Sequence, residues 1–138
     1  MEGVHIYFEI QLDEDRILAD GPYDLDQMYT FMDEAFAAHD CCLEKTDGKK
    51  RIYTRNIDNK DLGYLMMAAS IVEKTNWFEE YACHYMLYIY DEENDELDTE
   101  ENWLVECDIL LRRSLRTKAK EIITDMMKTY GDAPHQFF

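Results

Sequence analysis

A chain of 138 residues is long enough for one domain with a full hydrophobic core. With 46% hydrophobic and 13% aromatic residues it is too apolar to be a disordered acidic tail. Its formal charge of −17 argues against direct binding to nucleic acid or to an anionic membrane, whose phosphates would repel it.

Val4, Ile6, Phe8, Ile10 and Leu12 alternate with His5, Tyr7, Glu9 and Gln11, which predicts a strand with one face on the core. Asp13-Glu14-Asp15 ends it, and Asp20-Gly21-Pro22 supplies turn chemistry. Asp24 then reads as an N-cap with Gln27 completing a capping box, so Leu25, Met28, Tyr29, Met32, Ala35 and Phe36 predict a helix over 25–38. Asp47-Gly48 marks a tight hairpin, and counting outward pairs Leu43 with Ile52, Cys42 with Tyr53 and Glu44 with Arg51.

From Asn59 to Lys74 the stripe Leu62, Leu65, Met66, Ala69, Val72 predicts a second helix, with Trp77-Phe78 as an aromatic anchor beyond it. The aromatic and β-branched stretch from Tyr81 to Tyr90 favours a central strand buried on both faces, with a short helix as the alternative. Residues 91–97 read as a solvated loop. Asp98 or Thr99 can cap a last helix, with Glu100 and Glu101 in its first turn. Leu104, Cys107, Leu111, Leu115, Ile122, Met126 and Tyr130 continue it to the stop at Gly131 and Pro134, with a break placed near 114–117. The order β-α-β-β-α-β-α implies a single acidic α+β domain over 1–138, a small mainly antiparallel sheet with helices on one face.

Charge is unevenly placed. Residues 1–40 carry eleven acids and one base, and 61–111 carry fourteen acids and one base, while 41–60 and 112–138 each carry six bases against three acids. Lys49, Lys50, Arg51 and Arg55 suit a solvated hairpin. Arg112, Arg113, Arg116, Lys118 and Lys120 could pair with the acidic first helix, in cis or in an acidic-to-basic dimer.

Chemistry-bearing motifs are sparse. His39, Cys41, Cys42, Cys83 and His84 are the candidate metal ligands, but adjacent cysteines do not follow the Cys-x(2–4)-Cys spacing of zinc sites, and buried thiols are the better reading. A thiolate–imidazole pair from His39 with Cys41 or Cys42 has no activating context. No Gly-x-Ser-x-Gly elbow, Gly-rich phosphate loop or EF-hand loop is present. No enzyme, metal or cofactor is expected. Val4–Leu12 is interrupted by polar residues and lacks a basic lead, and no apolar run reaches the ~20 residues of a membrane span, so a cytoplasmic protein with reduced thiols is expected.

The most informative segment is 91–108, where ten of eighteen residues are acidic and none is basic. Crowded like charges oppose compactness, so such density invites a recognition role. The candidate partner-binding residues are Asp91, Glu92, Glu93, Asp95, Glu96, Asp98, Glu100 and Glu101. Tyr88 and Tyr90 flank them as anchoring or core side chains. Duplex DNA shows one phosphate per ~1.7 Å of axis and ~3.4 Å along one strand. A wholly helical 91–108 would place one charge per ~2.7 Å, and an extended one per ~6 Å. Asp13–Asp15 and the acids of the first helix would widen the surface.

Val4-His5-Ile6-Tyr7-Phe8, followed by Arg16-Ile17-Leu18-Ala19-Asp20-Gly21-Pro22-Tyr23, resembles small acidic proteins carried on bacterial mobile elements. In size and charge the chain is similar to anti-CRISPR and anti-restriction DNA mimics. That resemblance implies a non-enzymatic inhibitor that blocks the nucleic-acid channel of a basic partner, such as a CRISPR effector or restriction enzyme. Two alternatives stand beside it: an immunity or antitoxin protein that neutralises a basic toxin, and an accessory protein whose acidity serves only solubility.

Overall fold

The computed structural model describes residues 4–55 and 62–130. Strand β1 (Val4–Leu12) has the extent its alternation predicts. Ile6, Phe8, Ile10 and Leu12 are buried, whereas His5, Tyr7, Glu9 and Gln11 are half-buried on the other face. Helices α1 (Glu14–Asp20) and α2 (Leu25–Ala37) follow, then the hairpin of β2 (Cys41–Asp47) and β3 (Lys50–Arg55). Helices α3 (Leu62–Glu73) and α4 (Asn76–Tyr81) lead into β4 (Ala82–Asp91) and β5 (Glu96–Asn102), and α5 (Trp103–Glu106) and α6 (Ile109–Tyr130) complete the order. The five strands form one antiparallel sheet, β2-β3-β1-β4-β5. Met28, Met32 and Phe36 of α2, Leu65, Ala69 and Val72 of α3, and Phe78 of α4 share one core with the buried face of β1. This is the expected α+β class with helices on one face of the sheet.

The caps explain where helices start. Asp24 accepts hydrogen bonds from the backbone N–H groups of Asp26 and Gln27, at 2.9 and 3.2 Å, as its N-cap role requires. Helices α1 and α4 were not expected, because seven and six residues are too short to display a period. Their signals are local. Asp13 accepts from the Arg16 N–H (3.3 Å), Gly21 ends α1 in the left-handed region at φ 84°, and Thr75 Oγ1 accepts from the Phe78 N–H (3.2 Å).

The β2–β3 register differs from the one counted from Asp47-Gly48. The loop is Gly48-Lys49, with Asp47 opposite Lys50, because glycine takes the first central position with φ 61°. A shift at Glu44 then places Leu43 opposite Tyr53 and Cys42 opposite Thr54. Leu43 therefore does not meet Ile52, and Glu44 turns to His5 at 3.0 Å instead of Arg51. Strand β4 is interior to the sheet, as expected, but buried on one face only: Tyr85 and Leu87 are buried, and His84, Met86 and Tyr88 are half-buried. The expected helix from Asn59 starts at Leu62 within the described residues, and 56–61 lie outside them.

The largest correction concerns 96–102. These residues are strand β5, not a loop followed by a helical first turn. Asn102, rather than Asp98 or Thr99, caps the helical segment by accepting from the Leu104 N–H (3.1 Å). The last helix breaks at Cys107–Asp108, where Asp108 has φ 56°, and runs unbroken through 114–117.

Arg51 is not a solubilising cation. It is 15% exposed, its Nη2 donates to both carboxylate oxygens of Asp33 at 2.7 and 2.8 Å, its Nε donates to Tyr53 Oη (3.0 Å), and its guanidinium lies 4.5 Å from the Tyr29 ring centre. Tyr53 donates to Asp33 in turn (2.6 Å). Asp33→Ala strands both donors and is expected to cost about 1–3 kcal/mol, read as a lower urea midpoint with unchanged slope. Arg112 and Arg116 pair with Glu79 and Glu80 of α4, at 2.8–3.9 Å, rather than with α2. No helix among the described residues is long and apolar enough to cross a membrane.

Candidate functional site

The eight candidate carboxylates lie on one hairpin. Strand β4 runs out beside β1 with Val4 opposite Asp91, the chain turns over Glu92–Asp95, and β5 returns along the sheet edge. Asp91 builds the turn. Its carboxylate accepts from the Asn94 side chain (2.7 Å) and from the Asn94 and Glu93 N–H groups (3.2 and 3.0 Å), which holds it below the usual carboxylate range. Asp95 turns the chain back with φ 52° and accepts from the Tyr90 hydroxyl. Asp91, Glu92, Glu93, Asp95 and Glu96 are thus gathered at the tip, and Asp98, Glu100 and Glu101 run along the edge strand.

Register decides where the edge acids face. Glu100 lies opposite Tyr88, Glu101 opposite Leu87, and a shift between Ile89 and Tyr90 leaves Asp98 as the extra residue of a bulge. Glu100 therefore shares the open face of the sheet with Tyr88, which in turn stacks on Tyr7 of β1 with ring centres 5.1 Å apart. The sequence reading missed what surrounds this pair. Glu9 holds His84 at 3.1 Å and Glu44 holds His5 at 3.0 Å, both on the same half-buried face. Burial and then the neighbouring carboxylates, Glu9 first, raise the Tyr7 and Tyr88 hydroxyls above their ordinary value. The signal was present in the polar half of the β1 alternation, but only sheet pairing reveals that residues 7, 9, 44, 88 and 100 share a surface.

Asp13–Asp15 do not widen the surface. They follow Leu12, which pairs with Ala82 at the opposite end of β1 from Val4 and Asp91, about 30 Å away at the strand rise. Asp33 on the first long helix is committed to Arg51 on the covered face.

Of the candidate thiols only Cys41 is buried; Cys42 and Cys83 are exposed, contrary to the expected buried thiols, because their side chains leave the covered face of the sheet. Cys41 Sγ donates to the His39 carbonyl (3.3 Å), and His39 Nδ1 lies 3.1 Å from the Ala35 carbonyl, so neither faces the other as thiolate and imidazole. Burial pushes the Cys41, Cys83 and Cys107 thiols up, which keeps them protonated at neutral pH. Among the described residues no three His, Cys, Asp or Glu side chains converge on a metal-sized site.

What the hairpin offers is negative charge without internal compensation. Among the described residues, Asp15, Asp20, Asp33, Glu79 and Glu80 stand in ion pairs with the chain's own cations, and Glu9 and Glu44 contact histidines. The eight hairpin acids do neither, as is true of Asp24, Asp26 and Glu106 elsewhere, but only the hairpin gathers eight such acids within eleven residues. Seven of the eight are exposed, and Asp91 is half-buried. No protein-family model, curated protein or solved structure matches the chain, so its own residues alone bear on function.

Proposed function

We propose that the protein is a non-enzymatic inhibitor that acts in the cytoplasm by seating its β4–β5 hairpin in the basic nucleic-acid channel of a defence nuclease, such as a CRISPR effector or restriction enzyme. The observation that carries this reading is the gathering of eight carboxylates on one hairpin, all of them outside the ion pairs among the described residues. Unpaired, exposed charge keeps its full attraction for a cationic channel and competes with nucleic acid through the same release of counterions. The match is one of sign and local density rather than charge for charge. Four acids on the seven-residue β5 span ~23 Å, one per ~6 Å, sparser than duplex phosphates. The other four, Asp91, Glu92, Glu93 and Asp95 at the tip, supply the denser part.

Reversing Glu92, Glu93, Glu96 and Glu100 together to lysine is expected to weaken partner capture by at least ~100-fold, because several charge contacts change sign at once. Capture should also fall steeply between low and high salt, and DNA or guide RNA should displace the protein. Unchanged inhibition by a quadruple variant with a native circular dichroism spectrum would sink the reading.

A toxin-neutralising role shares these electrostatics. It is favoured by the Tyr7–Tyr88 stack beside Glu100, since tyrosines anchor protein interfaces more readily than they imitate phosphates. In that case co-expression rescues cells from the toxin and nucleic acid does not compete.

A further inference from the structure

The first two turns of α6 are fastened to the body, and the rest is not. Ile109 is fully buried, Arg113 donates to the Glu79 and Ala82 carbonyls (2.7 and 2.6 Å), and Arg112 and Arg116 hold Glu79. From residue 117 to 129 every residue is exposed. This free portion extends ~20 Å at the helical rise, and an isolated helix of that length is marginal in water. It is nevertheless strongly patterned. Leu115, Ile122, Ile123, Met126 and Met127 form an apolar stripe, each 43–59% exposed.

We propose that α6 pairs antiparallel with α6 of a second copy of this chain. The occupant is chosen by charge. Placing Ala119 and Met126 at the first apolar position of a heptad, and Leu115 and Ile122 at the second, makes Lys118 and Asp125 the flanking residues. In the antiparallel register Leu115 meets the partner's Met126 and Ala119 meets the partner's Ile122. Lys118 then lies beside the partner's Asp125, and the two-fold axis repeats the pair. The parallel alternative sets Lys118 beside the partner's Ile123 and forms no opposite-charge pair at these positions. Antiparallel pairing also suits the overall charge. Arg112, Arg113 and Arg116 are already engaged by the body, so the free portion carries Lys118, Lys120 and Lys128 against Glu121 and Asp125 and is close to neutral in a chain of net charge −17. The two anchored roots stand ~24 Å apart along the pair, about three Debye lengths at physiological salt. The acidic hairpin, whose tip lies at the far end of β5 from α5 and α6, is left open.

The full chain is expected to sediment at twice its 16.5 kDa mass at high micromolar concentration. Ile122→Asp, which leaves the anchored turns untouched, should raise the dissociation constant by at least ~tenfold. Lys118→Asp and Asp125→Lys should each weaken association by placing like charges together, and the double variant Lys118→Asp/Asp125→Lys should restore it. A single-chain mass at all concentrations overturns the proposal. So does a double variant that associates no better than the single ones, because that outcome removes the antiparallel register.

Discussion

Replacing Phe8 by alanine is expected to destabilise the domain by about 3–5 kcal/mol, at least about a fifth of the roughly 5–15 kcal/mol typical of a folded domain. Phe8 sits in the middle of the central strand with no exposed surface. Its ring lies 4.8 Å from Trp103 and 5.3 Å from Tyr85, centre to centre, so it joins β1, β4 and α5 at one point. The cavity left by truncation is walled by strands on both sides and cannot easily collapse. Phe8→Leu should cost much less, under about 1.5 kcal/mol if the neighbours repack. Urea titration followed by tryptophan fluorescence reads both variants, because Trp103 reports the site directly. A loss below about 1 kcal/mol for Phe8→Ala, the scale of a tolerated swap, would show that this contact does not organise the core.

The domain should also lose stability steadily as pH rises above 9. Burial raises the Cys41 thiol from 9.0 to about 11, and burial together with Glu73 raises Cys107 to about 12. Burial likewise raises Tyr85 and Tyr53 above 10.0, with Glu73 and Asp33 acting in the same direction. All four are acids whose neutral form the fold prefers. Below pH 9 both folded and unfolded chains keep these protons, so the stability is intact. Between 9 and 11 the unfolded chain releases the Cys41 proton while the folded chain retains it, and stability falls until the folded thiol titrates too. Tyrosines extend the decline from pH 10 upward. A fully buried group that holds its proton while its unfolded counterpart ionises contributes about 1.4 kcal/mol per pH unit; the partly exposed Cys107 contributes less. Urea midpoints measured from pH 8 to 11 check the trend. The double variant Cys41→Ala/Cys107→Ala should flatten most of the decline between 9 and 10, leaving there only the Cys83 thiol, which is also raised, and a profile flat to pH 11 would refute the assignment.

Where side chains alternate or recur against a core, the chain announces its elements. β1 and α2 are legible because Ile6, Phe8 and Ile10, or Met28, Met32 and Phe36, all report the same buried face. The seven residues of β5 carry no such record. Glu96-Leu97-Asp98-Thr99-Glu100-Glu101-Asn102 has one half-buried member, Thr99, and six exposed ones, so nothing in its pattern separates strand from loop. Its conformation comes from hydrogen bonding to β4, a tertiary cause that overrides weak strand propensity. The hairpin acids themselves were visible as a run of charge. Their separation into a tip and an edge, and their association with Tyr7, Glu9 and Glu44, depended on the sheet order.

Strand β5 is also one of the two margins of the sheet, with backbone groups paired on one side only. Such a margin templates the addition of further strands and, through them, aggregation. Two β5 strands brought together would set Glu96, Asp98, Glu100 and Glu101 against their own copies, and like charges placed opposite each other push strands apart. The bulge at Asp98 breaks the flatness that stacking needs. The acids therefore act as gatekeepers against cross-β assembly, in addition to the recognition role proposed for them. Alanine substitutions would remove both roles at once and yield precipitates that mimic a loss of binding. Lysine substitutions keep the margin charged, and so separate recognition from solubility.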